Sequence, residues 1–197
     1  IGLGAILTPI GEPLSTIVVS RLGLNFWSLL DQLGIYIIPG IIILGIMGAG
    51  YGSKEKGKLD NNEEIVIGET NKLIIIRAIK IFLFIIALEL LGEGFKPIIE
   101  AYILPLDTRY LYWVNMSSAV LDNATLAAAE ISVKMSPEQI KAVLIGLLVS
   151  GGIMIPGNIP NIISAGKLKI TSKEWIKVGA PIGITIMLIY YIVLFVF

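Results

Sequence analysis

The sequence has no cysteine and no histidine. Without cysteine, this chain offers no disulfide, no thiolate metal site and no thiol nucleophile. Without histidine, it lacks the commonest general base and the commonest metal ligand, so an enzymatic function is not expected. The formal net charge is zero, because 15 basic residues balance 15 acidic ones. A nucleic-acid partner is therefore not expected, since binding phosphates requires a basic surface.

Charged residues are scarce, and long apolar runs take their place. Hydrophobic residues make up 55% of the sequence and charged residues 15%, against about 45–50% and 25% in soluble domains. Three segments contain no charge at all: Ile35–Gly50, Ala142–Ile163 and Gly179–Phe197. Leu73–Leu91 is also apolar, although charged residues interrupt it. Since a spanning helix needs about 17–25 mostly apolar residues, the sequence predicts an all-α, multi-pass protein of the plasma-membrane lipid bilayer.

Two proline-rich motifs interrupt the apolar segments. The first, Thr8–Pro13, reads TPIGEP, and the second, Pro156–Asn161, reads PGNIPN. Because proline cannot donate a backbone hydrogen bond inside a helix, each motif predicts a broken helix. In a bilayer, irregular backbone persists only where it lines a cavity or is covered by protein. One interpretation is a transport site at both breaks; the other is a pair of proline kinks whose polar groups only cap the backbone.

The two motifs belong to similar stretches of sequence, which predicts an internal repeat. Pro9–Trp27 and Ile155–Trp175 each contain a break, a basic turn and a tryptophan, and each leads into an apolar span. The alignment pairs Gly11 with Gly157, Glu12 with Asn158 and Ser15 with Asn161. We expect residues 1–50 to end the first repeat, with a broken helix, an interfacial turn and a span. Residues 73–197 then form the second repeat.

The second repeat is predicted to contain a span, a re-entrant hairpin over residues 110–130, a broken helix over 142–165, a basic turn and a last span. If the hairpin does not cross the membrane, the two copies have opposite orientations; if it crosses fully, they are parallel. The hydrophilic loop 51–72 and the turn 166–177 lie on the same side of the membrane in this topology. Together they carry more basic residues than the segments predicted on the opposite side. The positive-inside rule therefore makes the loop 51–72 cytoplasmic and the C-terminus non-cytoplasmic.

A third polar element lies in the predicted hairpin. Asp122 is the only charged residue between Tyr110 and Ala129, and Asn123 and Thr125 lie beside it. A carboxylate at membrane depth costs about 2.5–3.5 kcal/mol on insertion scales, and it is usually retained for a cation, a proton or a partner. The alternative is a hairpin tip in which the polar groups only cap a helix.

Taken together, the segments SSAVLDNATLAAA, TPIGEPLS and PGNIPN resemble the ion transporter superfamily. That group includes sodium/proton antiporters, arsenite permeases and sodium-coupled dicarboxylate carriers, and the closest resemblance is to an uncharacterised prokaryotic permease family within it. The resemblance implies an inverted-repeat fold in which each half has a re-entrant hairpin followed by a broken helix. The hairpin tip and the broken loop together hold a sodium ion and the substrate.

The resemblance assigns sites residue by residue. The matching residues are Asp122, Asn123 and Thr125 at the tip, Gly157, Asn158 and Asn161 in the second loop, and Gly11, Glu12 and Ser15 in the first loop. In the first loop Leu14 and Ser15 replace the usual proline and asparagine. The first hairpin of the family has no counterpart here, so we expect an N-terminal half of the transporter, in the same or another chain.

Sodium/proton antiport, or another sodium-coupled cation transport, is the function that the sequence favours. The expected sodium ligands are Asp122, Asn123, Thr125 and Asn158, with further polar groups at the first break from Thr8, Glu12 and Ser15. One alternative is sodium-coupled transport of a dicarboxylate or oxyanion; another is a non-transporting membrane subunit. No cofactor is expected besides sodium as the coupling ion. The expected partners are the bilayer, a small ion or anion, and a second copy in a homodimer.

Overall fold

A computed structural model describes residues 2–52 and 71–196, and within these ranges the chain is helical and contains no strand. The prediction of an all-α fold is confirmed for this part of the chain. Most of the predicted cytoplasmic loop 51–72 lies outside the described residues. The α-helices are α1 Gly2–Ala5, α2 Pro13–Leu22, α3 Ser28–Gly52, α4 Asn71–Ile98, α5 Thr108–Val114, α6 Asn123–Glu130, α7 Pro137–Gly151, α8 Ile159–Leu168 and α9 Ser172–Phe195.

Three shorter helical segments connect these elements. A π-helical segment, Ile99–Ile103, follows α4, and 3₁₀ segments occupy Asn115–Ala119 and Ile155–Gly157. The prolines at 97 and 105 predict irregular backbone from Gly92 onward, but α4 continues to Ile98 with Pro97 inside it. The π-helical segment begins after Pro97, and the N–H of Leu104 donates to the carbonyl of Ile99 at 2.9 Å.

Within residues 2–52 and 71–196, two helices are long and apolar enough to cross a membrane. Their spanning segments are Ser28–Gly50 and Ser172–Phe195, with mean hydropathies of 2.1 and 2.2. Apolar side chains on α3 and α4 point outward: Ile46 is 69% exposed, Phe82 65% and Ile75 60%. Such continuous apolar surface is unusual on a soluble monomer and typical of a surface that contacts lipid or protein. The arrangement is compatible with a membrane protein.

Helix α7 lies at the centre of the described structure and packs against α5, α6, α9 and the 3₁₀ segment Asn115–Ala119. Its start is encoded locally, because Ser136 and Gln139 form a reciprocal capping box and Pro137 occupies the first turn. Ser136 followed by Pro137 and Glu138 is also the sequence pattern that predicts a helix start, and α7 begins there. From Ala142 to Gly151 every residue of α7 is buried, so this helix provides the wall against which the polar segments pack.

The two broken helices have matching local geometry. Helices α2 and α8 each have 10 residues, each begins with proline in its first turn, and each has a basic residue in its last turn. Both end at a residue in the left-handed conformation, Gly23 with φ 61° and Lys169 with φ 53°. Their N-cap residues also agree, with φ −159° and ψ 163° at Glu12 and φ −158° and ψ 159° at Asn158. The sequence alignment of the two motifs therefore corresponds to a similarity of backbone structure.

Candidate functional site

Residues 108–130 form a helix-turn-helix segment, hereafter the hairpin. Helix α5 and the 3₁₀ segment Asn115–Ala119 form one arm, and α6 forms the other. The chain turns at residues 120–122, slightly before the turn at Asp122–Thr125 that the sequence predicts, so Asn123 and Thr125 lie in the first turn of α6. The reason is local: Asp122 caps α6, and its N-cap position fixes where the helix begins.

The two carboxylate oxygens of Asp122 lie in different environments. Oδ2 accepts hydrogen bonds from the backbone N–H of Thr125 at 3.0 Å and from the Thr125 hydroxyl at 3.1 Å. Oδ1 is buried, and none of the described residues donates a hydrogen bond to it. Helix capping therefore accounts for one oxygen of Asp122, and the other remains available to a ligand.

At the first break, Glu12 is the N-cap of α2 and is 7% exposed. Ser15 is fully buried, and its hydroxyl donates to the backbone carbonyl of Glu12 at 2.7 Å. The turn before it is closed by Gly11, whose N–H donates to the carbonyl of Thr8 at 3.1 Å. The Oε1 atom of Glu12 is buried, with no hydrogen-bond donor among the described residues. Ser15 thus stabilises the backbone, whereas the Oε1 atom of Glu12 is left for another role.

The first break and the hairpin tip meet at this carboxylate. Glu12 is close enough to Asp122 for the two negative charges to repel each other, and the Asn123 amide also faces Glu12. Asn123 is 2% exposed, yet its Nδ2 completes no hydrogen bond of normal geometry with any described group. Two carboxylates and an amide therefore form a buried polar cluster with unsatisfied hydrogen-bonding atoms, which is rare in folded proteins.

At the second break, the asparagines bond to the backbone around them. Asn158 is 3% exposed, and its Oδ1 accepts from the N–H of Asn161 at 3.0 Å, which caps α8. The Asn161 side chain reaches back across the break and donates to the carbonyls of Gly151 at 2.8 Å and Met154 at 3.0 Å. The break spans residues 152–158, because α7 ends at Gly151, earlier than the proline motif suggests.

Glycine allows the second break to contact the hairpin. A Cβ atom on Gly157 would overlap the Gly151 carbonyl oxygen and lie 2.7 Å from the carbonyl oxygen of Ser118. A Cβ atom on Gly151 would lie 3.3 Å from the Ser118 hydroxyl and 3.6 Å from Cβ of Asn123. The close approach of these backbones therefore requires glycine at position 157 and leaves little room for a side chain at position 151. The second break thus touches the same end of the hairpin that meets Glu12.

The structure brings most of the sequence-predicted residues into one neighbourhood. Glu12 lies against Asn123 and near enough to Asp122 to feel its charge, and Gly157, Asn158 and Asn161 adjoin them through Gly151. Sequence reasoning missed four buried residues: Ser118, Asn115, Gly151 and Glu130. The signal for Asn115 and Ser118 was present, because both lie in the polar segment that contains Asp122. No sequence feature next to Gly151 or Glu130 marks either residue as part of a site.

The donor set of the cluster suits a hard cation. Carboxylate, amide and carbonyl oxygens are the ligands that such cations prefer. No group of three or more histidine, cysteine, aspartate or glutamate side chains occurs in the described part of the chain. A groove of about 540 Å³ lies elsewhere, between α3 and α9, and its lining is mostly apolar, with side chains such as Ile43, Ile182 and Ile189. Its lining contains no charged side chain.

The described residues define an all-helical protein with two helices able to span a membrane and a buried acidic cluster between two helix breaks and a hairpin tip. The chain belongs to the family described as "Protein of unknown function (DUF1646)", whose model matches residues 1–197. No curated protein and no solved structure matches the chain.

Proposed function

We propose that this protein is a secondary active transporter that exchanges sodium for protons across the plasma membrane by alternating access. The observation that carries the proposal is the meeting of Glu12 and Asp122, each with a buried carboxylate oxygen that no described group satisfies. Burying an ionised group without a partner is costly, so such a pair is retained where a proton or a cation occupies it.

Helix breaks support a transport site at this position. Broken helices near the membrane midplane expose backbone carbonyls and amides to an ion without unfolding the surrounding structure. Helices α2 and α8 begin at such breaks, and their N-caps, Glu12 and Asn158, have the same extended backbone conformation. Both breaks adjoin the tip of the hairpin. The proposed ion thus lies where all three elements converge.

Sodium binding at this site would use the free oxygens of Glu12 and Asp122 together with neutral oxygens nearby. The Thr125 hydroxyl donates to Oδ2 of Asp122, and the Asn158 amide oxygen accepts from the N–H of Asn161, so a lone pair on each of these two oxygens remains for an ion. Carbonyl groups at the break before Asn161 complete the proposed set. A carboxylate offsets the charge of the cation and so lowers the cost of placing it in a low-dielectric site.

Proton exchange follows from the closeness of the two carboxylates. When sodium leaves, two ionised carboxylates in one buried site repel each other, and burial also disfavours their charged forms. Uptake of a proton by one of them relieves both effects. Sodium and proton therefore compete for the same acidic pair, which is the thermodynamic requirement for exchange.

The proposed topology is an inverted repeat. The hairpin enters from the non-cytoplasmic side without crossing, so the two broken helices run in opposite directions, loop 51–72 is cytoplasmic and the C-terminus is non-cytoplasmic. The matched lengths and caps of α2 and α8 support a repeat, and the distribution of basic residues supports this orientation.

One observation favours a second candidate, sodium-coupled uptake of an anion. The N-termini of α2, α6 and α8 all adjoin the cluster, and the amino end of a helix carries partial positive charge that attracts anions. Two of these N-caps, Glu12 and Asp122, are carboxylates, and their negative charges already neutralise the partial positive charge of the helix ends. Cation exchange is preferred for this reason. In an anion carrier, the attraction between the anion and the helix N-termini would have to exceed its repulsion by the Glu12 and Asp122 carboxylates.

The deciding experiment is ion flux in proteoliposomes. With an imposed sodium gradient, exchange predicts proton movement in the opposite direction, reported by a pH-sensitive dye trapped in the lumen. Anion uptake predicts instead that sodium flux requires an added dicarboxylate or oxyanion. Sodium flux that is independent of both pH and anions would contradict both candidates, and the absence of any flux in a correctly folded, complete protein would indicate a non-transporting role.

A further inference from the structure

Helices α2 and α6 pack side by side and run in the same direction. Their N-caps, Glu12 and Asp122, both lie at the acidic cluster. At the other end, Arg21 in the last turn of α2 contacts the residues that end α6. Arg21 follows Glu12, and Ile131 follows Asp122, by the same number of residues, which corresponds to about 14 Å at about 1.5 Å per residue. The two helices therefore have a polar contact at each end.

The Arg21 guanidinium binds the C-terminal end of α6. Its Nη1 atom donates to the backbone carbonyl of Ala128 and, at 3.3 Å, to that of Ile131. The last carbonyls of a helix have no donor within the helix, and that end of a helix carries partial negative charge. A cationic donor from a neighbouring helix answers both needs. Arg21 thus joins α2 to α6 by directional hydrogen bonds between segments that are far apart in the chain.

Helix α4 leaves room for this contact at Gly92. Gly92 is buried, and a Cβ atom there would overlap both Nη2 of Arg21 and the carbonyl oxygen of Ala128. At Gly94, on the same helix, a Cβ atom would extend into open space. The contact between Arg21 and Ala128 therefore requires that position 92 has no side chain.

The apolar contact between α2 and α6 is less directional. The buried residues of α6 include the small side chains of Ala124, Ala127 and Ala128. Methyl groups allow two helices to approach closely, but they form shallow ridges that interlock little with a neighbouring helix. Polar contacts at the helix ends therefore have a large share in fixing how Glu12 faces Asp122.

We propose that Arg21 is a positioning residue for the acidic pair. By holding the C-terminal end of α6 against α2, it sets the separation of Glu12 and Asp122 at the opposite end. This inference rests on the cation site of the proposed function. A cation that binds two carboxylates needs both within reach at once, so freedom of movement between the two helices lowers its affinity. Arg21 thus raises the affinity for sodium without touching the ion.

A pair of spin labels reports on this separation directly, because the sequence has no cysteine. Ile10→Cys and Val120→Cys place nitroxide labels at the first break and at the hairpin turn, where both side chains are exposed. Electron paramagnetic resonance of the full protein then measures the distance between the labels. We expect Arg21→Gln to broaden or lengthen this distance. The matched control is Lys167→Gln, which changes an exposed basic residue in the last turn of α8 and should leave the distance unchanged.

Sodium affinity is measured with ²²Na⁺ on the same variants without labels. We expect it to fall by about tenfold in Arg21→Gln, by less in Arg21→Lys, which keeps the charge on a shorter side chain, and not at all in Lys167→Gln. Gly92→Ala should reproduce Arg21→Gln in both measurements, whereas Gly94→Ala should match the wild type. Elution volume and helical circular dichroism verify folding.

The two measurements separate this inference from the function on which it rests. An unchanged label distance in Arg21→Gln overturns the inference, and so does a changed distance with unchanged sodium affinity, or an equal change in Lys167→Gln. If the wild type binds no sodium, the proposed function fails, and the label distance alone decides whether Arg21 positions the acidic pair. Should Arg21→Gln not fold, Arg21→Lys is measured in its place, and an unchanged distance with unchanged affinity would overturn the inference.

Discussion

The Oδ2 atom of Asp122 accepts two hydrogen bonds from Thr125, one from its backbone N–H and one from its hydroxyl, while Oδ1 of the same carboxylate is buried and has no donor among the described residues. The structural task of Asp122, capping α6, thus uses one oxygen. An asparagine can perform that task equally well, since Asn and Asp are comparable N-caps. The charge of Asp122 is therefore separable from its contribution to folding.

The first prediction follows from this separation. Asp122→Asn should leave the protein folded but reduce pH-dependent sodium flux to the level of empty liposomes, because an amide at position 122 offsets no charge and takes up no proton, and Glu12 alone no longer forms the acidic pair for which sodium and proton compete. The measurement is proton movement driven by a sodium gradient in proteoliposomes.

Asp107→Asn is the matched control for this substitution. Asp107 caps α5, the first helix of the same hairpin, by accepting from the N–H of Arg109 at 2.8 Å, but it is exposed. We expect this control to exchange at the wild-type rate. Normal pH-dependent flux in Asp122→Asn, or equal losses in the two variants, would contradict the assignment of Asp122 as the coupling carboxylate.

The second prediction concerns the other carboxylate of the pair. Glu12→Gln preserves the shape of the side chain and removes the repulsion between Glu12 and Asp122. We expect sodium affinity to fall by about tenfold or more, equivalent to at least ~1.4 kcal/mol, because a single charge then faces the ion. Sodium-dependent flux at several sodium concentrations measures this affinity.

For comparison, Glu174→Gln changes a glutamate at the start of α9, where the Glu174 carboxylate accepts from Thr171. Glutamine also supports a capping box, and Glu174 is exposed, so this variant should keep the wild-type affinity. An unchanged sodium affinity in Glu12→Gln would remove Glu12 from the proposed site and leave Asp122 as its single carboxylate.

The third prediction tests the close contact between the second break and the hairpin. A Cβ atom on Gly157 would overlap the Gly151 carbonyl, so Gly157→Ala should lower the free energy of unfolding by about 1–3 kcal/mol and impair flux. In contrast, a Cβ atom on Gly166, which lies in α8, would extend into open space. Gly166→Ala should raise helix stability by about 0.5–1 kcal/mol. Thermal melts in detergent compare the two; equal effects would show that the contact is unimportant.

The fourth prediction concerns topology, and the absence of cysteine makes it easy to test. Asn25→Cys and Lys173→Cys place one thiol each in the exposed turns before α3 and at the start of α9. In an inverted repeat, a membrane-impermeant maleimide added outside intact cells should label Asn25→Cys and not Lys173→Cys. Inside-out vesicles should show the opposite pattern. Labelling of both positions from the same side would indicate parallel repeats.

Local features of this protein were readable from its sequence. The proline motifs predicted where helices break, and Asp122, Asn158 and Ser136 each occupy an N-cap position with the partner residue three positions later. Such signals are legible because the hydrogen bonds that define a helix end join residues close together in the chain. The apolar composition likewise predicted an all-helical fold. A long uncharged segment inside a bilayer can satisfy its backbone hydrogen bonds internally by forming a helix.

Contacts between distant segments were decided only by the tertiary structure. Nothing in the neighbourhood of Glu12 indicates that it faces Asp122, and nothing near Glu130 distinguishes it from a glutamate at the surface end of a helix. Helix α7 also ends at Gly151, before the proline motif begins, and the backbone after it packs closely against the hairpin at Gly157 and Ser118. The physical reason is that burial and electrostatic repulsion depend on which helices pack together, whereas capping and helix breaking depend on the residues next in the chain.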